Sequence, residues 1–312
     1  LKSDSKKAVL AALAANLGLS IAKFAGFLAT GAASLLAEAV HSVADTSNQA
    51  LLLVGGRAAA RAPTKLHPYG FGRERYFWSF VVALVLFLLG GVFAIVEGSA
   101  KFREPVVIDN PEWAIGILLL GIVLEGASLR TAVKAATARR GGASWWSFLR
   151  STREAELPVI LLEDLGAVCG LVLAITGISL ASLTGDPRFD AAGSIAIGTL
   201  LCVISALLAV ELKSLLIGEA AHPEVEEAIR GALVDAPQIQ RVLHMRTQHL
   251  GPDRLLIGAK LEFAAGLDVA VVAAAIDAAE ARVRACLPAQ AIIYLEPDLG
   301  SSGSPASAPS ED

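Results

Sequence analysis

Glu38, His41, Asp45 and Asn48 follow one another at steps of three, four and three in the stretch SLLAEAVHSVADTSNQALLL, residues 34–53. On a helix that spacing stacks all four side chains on one stripe. His41 and Asp45, four apart, bring an imidazole nitrogen and a carboxylate oxygen close enough to share one metal ion. A second acidic pair, Glu163 and Asp164, interrupts the apolar run VILLEDLGAVCG. Adjacent helical residues point about 100° apart, so the two cannot face one point equally well. One suits a ligand; the other suits a supporting or water-facing role. His41, Asp45 and an acid from the second run make a nitrogen–oxygen donor set that suits Zn2+, and also Fe2+, Mn2+, Co2+ or Ni2+. These groups also bind protons, so metal binding there should displace protons. The competing reading is a hydrogen-bonded polar seam that only joins helices. Two acids, a His and an Asn on one stripe of an apolar helix weigh against it, because ionisable groups inside a membrane span are costly and mark function by default.

The elements that must hold these residues read as membrane spans. Hydrophobic residues make up 54% of the chain and charged residues 18%, against about 45–50% apolar in soluble domains; mean hydropathy is +0.60. Six apolar segments stand at roughly 8–30, 33–56, 76–98, 113–133, 157–176 and 191–217, each near the length that crosses a bilayer. The second carries the His41 stripe and the fifth carries Glu163 and Asp164. The predicted architecture is an α-helical membrane bundle of six transmembrane helices over 1–217, a small α+β cytoplasmic domain of order α-β-β-α-β over 218–298, and a disordered Ser/Pro-rich tail over 299–312. PEVEEAIRGALVDA and LDVAVVAAAIDAAEARVRACL are its helices; RVLHMRTQHL, RLLIGAKLEF and AIIYLE are its strands.

Basic residues favour one side of the six segments. Lys6, Lys7, Arg57, Arg61, Lys134, Arg139 and Arg140 fall on one side, whereas Lys101, Arg103 and Arg188 fall on the other. The positive-inside rule then puts both termini in the cytoplasm, as a multi-pass protein of a bacterial inner membrane. The chain opens at Leu1, which reads as a trimmed start, and no signal peptide is evident. Three cysteines without paired spacing argue against a disulfide framework or a Cys-type zinc site. The net charge of −4 averages over both parts, and no nucleic-acid partner is expected. Trp145 and Trp146 read as an interfacial anchor. Glu125 in the fourth segment is open between a proton relay and helix glue, with Arg130 as its partner.

Six spans, HSVAD in the second, acids in the fifth, DPRFD before the sixth and the α-β-β-α-β tail together resemble the cation diffusion facilitator family over residues 7–298. The resemblance implies a homodimer joined through the tail domain that exports divalent metal, Zn2+ first, against protons. It implies a transport site of two ligands from helix two and a His-x-x-x-Asp motif from helix five. His41 and Asp45 match the first pair and Asp164 the final Asp, but Ile160 stands where the His would be. Glu163 replaces that ligand, or Glu38 is recruited, or water completes three protein ligands. A branch of the family carries LLED in place of the His motif, as here.

The family's accessory metal sites look eroded. His67 remains in HPYGF with Phe71 at the second position, and Lys260, Tyr294 and Glu296 occupy the usual bridging positions of the tail domain, with His244 at another. His244 and His249 are five apart on a strand and so face opposite ways. His222 reads as a linker residue. The tail domain is therefore expected to dimerise with little or no metal. The competing functions are a passive metal channel or sensor and an intramembrane metalloenzyme; no HExxH helix supports the enzyme. The chain is read as no enzyme and as holding no resident cofactor, the metal being cargo.

Overall fold

Apolar runs that are free of proline beyond their first turns carry the chain through a series of long helices. The computed structural model describes residues 3–142, 144–152, 156–287 and 289–299, with the side chains of 3–15, 150 and 151 left outside that description. The tail prediction for 300–312 also lies outside the described residues, as do the side chains of Lys6 and Lys7.

Helices α1 (Ser3–Thr30) and α2 (Ala33–Ala59) are joined by a two-residue turn. Gly31 takes a left-handed φ of 73° there, a conformation that a side chain would strain. The next span is built of α3 (Glu74–Val85), a π-helical stretch at Leu86–Val92, and α4 (Phe93–Arg103). Then follow α5 (Pro111–Arg140), the short α6 (Trp145–Ser151), α7 (Glu156–Thr184) and α8 (Arg188–Ile217). Among the described residues, four helical stretches are long and apolar enough to cross a membrane: Glu74–Arg103, Pro111–Arg140, Glu156–Thr184 and Arg188–Ile217. Helix α2 has 27 residues, a length of about 40 Å at 1.5 Å per residue; its polar stripe dilutes its hydropathy. Several helices outrun the apolar segments that announce them. Ala-rich polar sequence such as KAATARR at the end of α5 is good helix former and extends the helix past the hydrocarbon.

The chain divides into two compact units, residues 1–62 with 73–216, and residues 63–72 with 217–312. In the first, small residues let helices approach closely. A Cβ at Gly198 of α8 would stand 2.6 Å from the Gly91 carbonyl, and Ser194 Oγ donates to Ala94 O at 3.0 Å. Helices α7 and α8 meet through Gly177 and Gly193. This is how helices associate where lipid removes the hydrophobic drive. Leu35, Leu86, Leu118, Leu171, Ile197 and Leu201 fill the centre.

The start of α2 is fastened to α8. Asp190 accepts from Ala33 N at 2.5 Å and Ser34 N at 3.2 Å, and also from Ser34 Oγ. A carboxylate from another helix thus serves as the N-cap that Ala32 cannot supply. Beside it, Lys101 Nζ donates to Gly31 O at 2.8 Å.

In the second unit, α9 (Pro223–Val234) and α10 (Val269–Cys286) cover one face of a sheet ordered β1 (Ile239–Gly251), β2 (Arg254–Phe263), β3 (Gln290–Asp298). β1 and β2 are antiparallel; β2 and β3 are parallel. Alternate β2 residues Leu255, Ile257, Leu261 and Phe263 point into the core with Ile229, Leu233 and Val283. The order α-β-β-α-β is the one the sequence predicts.

Replacing Asp190 with Ala should cost about 2 kcal/mol of stability, the usual scale for a charged acceptor lost to buried donors. Thermal unfolding of the detergent-solubilised protein checks this; an unchanged midpoint would show that the clamp is not holding α2.

Candidate metal centre

Helix α2 presents its stripe to three neighbours, and each residue of the stripe finds different company. Glu38, His41, Asp45 and Asn48 are all buried. His41 Nε2 lies 3.5 Å from Asp45 Oδ2, one helical turn away. Neither ring nitrogen of His41 has a hydrogen-bond partner, nor does Asp45 Oδ1. Asn48 Nδ2 donates to Glu163 Oε1 of α7 at 2.8 Å, and Glu163 lines the same cavity as Asp45. Orphaned buried polar atoms are costly and call for a functional explanation, and these point to a site built to receive a cation.

Adjacent residues on α7 divide as their helical geometry demands. Glu163 is buried and faces α2. Asp164 turns toward α5, where its Oδ2 accepts from Ser128 Oγ at 2.9 Å. Ile160, at the position of the absent His, is 37% exposed. The structure therefore brings His41, Asp45 and Glu163 into one cluster and holds Asp164 across from it on Ser128. Both acids line one cavity of about 340 Å3, together with Asp45, Gln49, Glu125 and Glu156. The cavity runs from the cluster toward the end of the bundle where α2 finishes and α7 begins, the end that carries Arg57, Arg139 and Arg140. As the side chains stand, no three His, Cys, Asp or Glu residues among those described are close enough to hold a metal ion. His41, Asp45 and Glu163 are neighbours at the head of the cavity, not a closed ligand set.

Glu38 stands apart from that cluster. Its Oε2 accepts from Lys23 Nζ of α1 at 3.1 Å, and the same ammonium donates to Ser42 Oγ at 2.7 Å. Sequence reasoning missed Lys23. Its signal was a lone charge in the apolar run SIAKFAGF, which the rule applied to Asp45 would have flagged. Ser128 carried no signal, because serine is common on helix faces in membranes. Glu125, 7% exposed, lines the cavity instead of meeting lipid.

The second unit keeps a cation of its own. Lys260 Nζ lies 2.7 Å from Asp298 and 3.3 Å from Glu296. The hydrogen bonds it donates to Asp298 and Glu296 raise its pKa, so the ammonium occupies acids that would otherwise be available to metal. His244 sits opposite Lys260 in the β1–β2 register. His67 stacks on Phe71 with ring centroids 4.6 Å apart, and His222 Nδ1 accepts from Glu224 N at the start of α9.

Residues 9–217 match the family model of the cation efflux transmembrane domain. The chain is 34% identical over 260 residues to the human protein named proton-coupled zinc antiporter SLC30A9, mitochondrial, an alignment covering 82% of this chain and 46% of that protein. It is 26% identical over 253 residues to zinc transporter ZitB of Pectobacterium atrosepticum, covering 80% of this chain and 73% of that one. It is 25% identical over 254 residues to manganese efflux system protein MneP of Bacillus subtilis, covering 81% and 82%. The chain spans about half the length of the animal antiporters it matches.

The geometry ranks the two acids of α7. Glu163→Gln should weaken divalent-metal binding by about a hundredfold and Asp164→Asn by about tenfold or less, in keeping with the loss of a ligand against that of an outer partner. Calorimetric titration of each folded variant with Zn2+ measures both. The reverse order would make Asp164 the ligand that swings across the cavity.

Proposed function

The chain belongs to the cation efflux family, and on that premise we propose that it exports a divalent metal, Zn2+ foremost, in exchange for protons. The observation that carries this reading is the buried His41–Asp45–Glu163 cluster at the head of a polar cavity inside a membrane bundle. Such a cluster is expensive in hydrocarbon unless a cation occupies it. His41, Asp45 and Glu163 supply the donors; Asn48 orients Glu163 and Asp164 faces the cluster from the Ser128 side of the cavity. With His41 neutral, Asp45 and Glu163 carry two negative charges and one divalent ion cancels them. Protons bind to the same atoms, so metal and protons exclude one another. That exclusion is the coupling.

Alternating access follows from the two ends of the bundle. The cavity leads toward the basic end, which the positive-inside rule makes the cytoplasmic side. At the opposite end, the Asp190 clamp and the Lys101–Gly31 hydrogen bond hold α2 against α8 and α4. The arrangement is that of a site open inward and shut outward. Opening outward requires α2 to part from Asp190, and rocking of one helix group against another would do this. A bare, charged cluster resists the move, so the loaded forms are the ones that turn over.

The proposed assembly is a homodimer through the second unit, formed with little or no metal because Lys260 already occupies Asp298 and Glu296. The proposed host is a bacterial cell membrane with both termini inside. The animal relatives are named mitochondrial; in such a membrane the same charge rule would read the matrix as inside.

Zn2+ flux into proteoliposomes under an imposed pH gradient tests the reading. Uphill Zn2+ movement should need the gradient, stop when an ionophore collapses it, and fall to background in Asp45→Ala with the dimer still folded. Zn2+ that moves only downhill and ignores pH would replace the antiporter with a channel. Wild-type flux in Asp45→Ala would remove the site itself.

A further inference from the structure

Lys23 is the one described lysine with no exposed surface at all, and it lies in the apolar stretch of α1, next to the transport stripe. Its ammonium reaches Glu38 Oε2 at 3.1 Å and Ser42 Oγ at 2.7 Å. Both partners flank His41 on α2: Glu38 is three residues before it and Ser42 one after. Helical neighbours at i and i+3 have Cβ atoms about 5–6 Å apart, so Glu38 is within a ligand's reach of the His41 ring. The second oxygen of Glu38 has no partner. It sits where α7 gives way: a Cβ at Gly170 would collide with it. Gly121 of α5 lies beside the pair as well: a Cβ there would press on Leu171 at 3.0 Å and touch the Lys23 Cε at 3.6 Å. Helix α7 is thus cut back around the Glu38 carboxylate that Lys23 holds.

We propose that Lys23 is a tethered cation that keeps Glu38 out of the metal's ligand set, so that the cargo stops at Asp45 and Glu163 instead of sinking toward Glu38. This rests on the transport-site reading above. Without Lys23 the stripe would offer a divalent ion a third carboxylate beside His41. A site with three anionic ligands and a His holds Zn2+ tightly and releases it slowly, because affinity rises with ligand charge in a medium of low dielectric constant. A transporter needs binding that is strong enough to load and weak enough to unload. The Lys23 ammonium meets that need in two ways: it cancels the third carboxylate, and it repels a cation that approaches from the Asp45 side. Glu38 lies seven residues from Asp45 on α2, about 10 Å along the helix axis toward the end closed by Asp190. Lys23 therefore stands between the metal and the shut end of the bundle. It touches no metal itself; it is a positioning residue that acts through Glu38.

The test compares the full-length wild type, Lys23→Met, Lys23→Met/Glu38→Gln and Asp45→Ala, purified in detergent and titrated with Zn2+ alone, with flux measured after reconstitution. Lys23→Met frees Glu38 and should bind Zn2+ about tenfold more tightly or better, with turnover slowed by a similar factor, by the added charge at the ligand set. The double variant removes the freed carboxylate and should return affinity and turnover to within about threefold of wild type, since neither residue ligates the cargo. A purely structural lysine would weaken binding, not tighten it. Unchanged or weaker Zn2+ binding in Lys23→Met would overturn the proposal, as would a double variant that stays far from wild type. Should Lys23→Met fail to fold, the double variant decides: near-wild-type Zn2+ affinity supports the assignment, and a tenfold loss overturns it. Asp45→Ala keeps the two readings separate. If it binds Zn2+ as the wild type does, the transport site itself is wrong, whatever Lys23 does.

Discussion

The cost of holding charge inside a membrane is the constraint on which the rest of this structure depends. Glu38, Asp45, Glu125 and Glu163 are buried in one helical bundle together with His41. Only one described lysine, Lys23, is buried among them, and it is committed to Glu38. Such groups persist in hydrocarbon only when paired, hydrogen-bonded or facing a polar cavity. Asn48 and Ser128 each donate one hydrogen bond, to Glu163 and Asp164 respectively. On the α2 stripe, both His41 ring nitrogens, Asp45 Oδ1, Glu38 Oε1 and Asn48 Oδ1 remain without a partner, and such unmet polarity is what a cation or protons can relieve.

The scaffold serves that deficit. Glycines at 91, 98, 177, 193 and 198 bring the helices close enough that backbones touch, which closes the bundle away from the cavity that the acids line. Gly170 does the opposite and leaves space for the Glu38 side chain. The Asp190 cap fixes the start of α2, and with it the height of every stripe residue above the cavity. Under the proposed transport cycle, uncapping α2 from Asp190 would give the bundle its second arrangement. This is the kind of bistable element that can turn binding into movement. In the second unit the same economy of charge recurs, with Lys260 lying between Glu296 and Asp298.

Much of this was legible in the sequence, because hydrophobic runs and helical spacing are local signals. The long apolar helices, four of which qualify as spans among the described residues, the α-β-β-α-β order and the placing of Glu38, His41, Asp45 and Asn48 on one helical stripe follow from periodicity. The choice between Glu163 and Asp164 did not. Adjacent residues differ by a rotation of α7 about its axis, and that rotation is set by contacts such as Gly170 with Glu38 and Gly166 with Leu201 and Ile204, which no local pattern encodes. The family motif pointed to Asp164, whereas packing turned Glu163 to α2. The π-helical stretch at Leu86–Val92 was equally hidden, since LFLLGGV reads as ordinary helix until Gly91 meets Cys202 of α8. Lys23 was overlooked for a different reason: a single charge in a long apolar run was averaged away with the run.

The central claim is that metal and protons compete for the atoms of Asp45 and Glu163. Its most direct measurement is the number of protons released for each Zn2+ bound, obtained by titrating the purified protein with Zn2+ in buffers of different ionisation enthalpy. The account expects proton release at neutral pH, falling in Glu163→Gln and in Asp45→Asn as each variant surrenders a competing site. Tight Zn2+ binding with no proton release at any pH would contradict it.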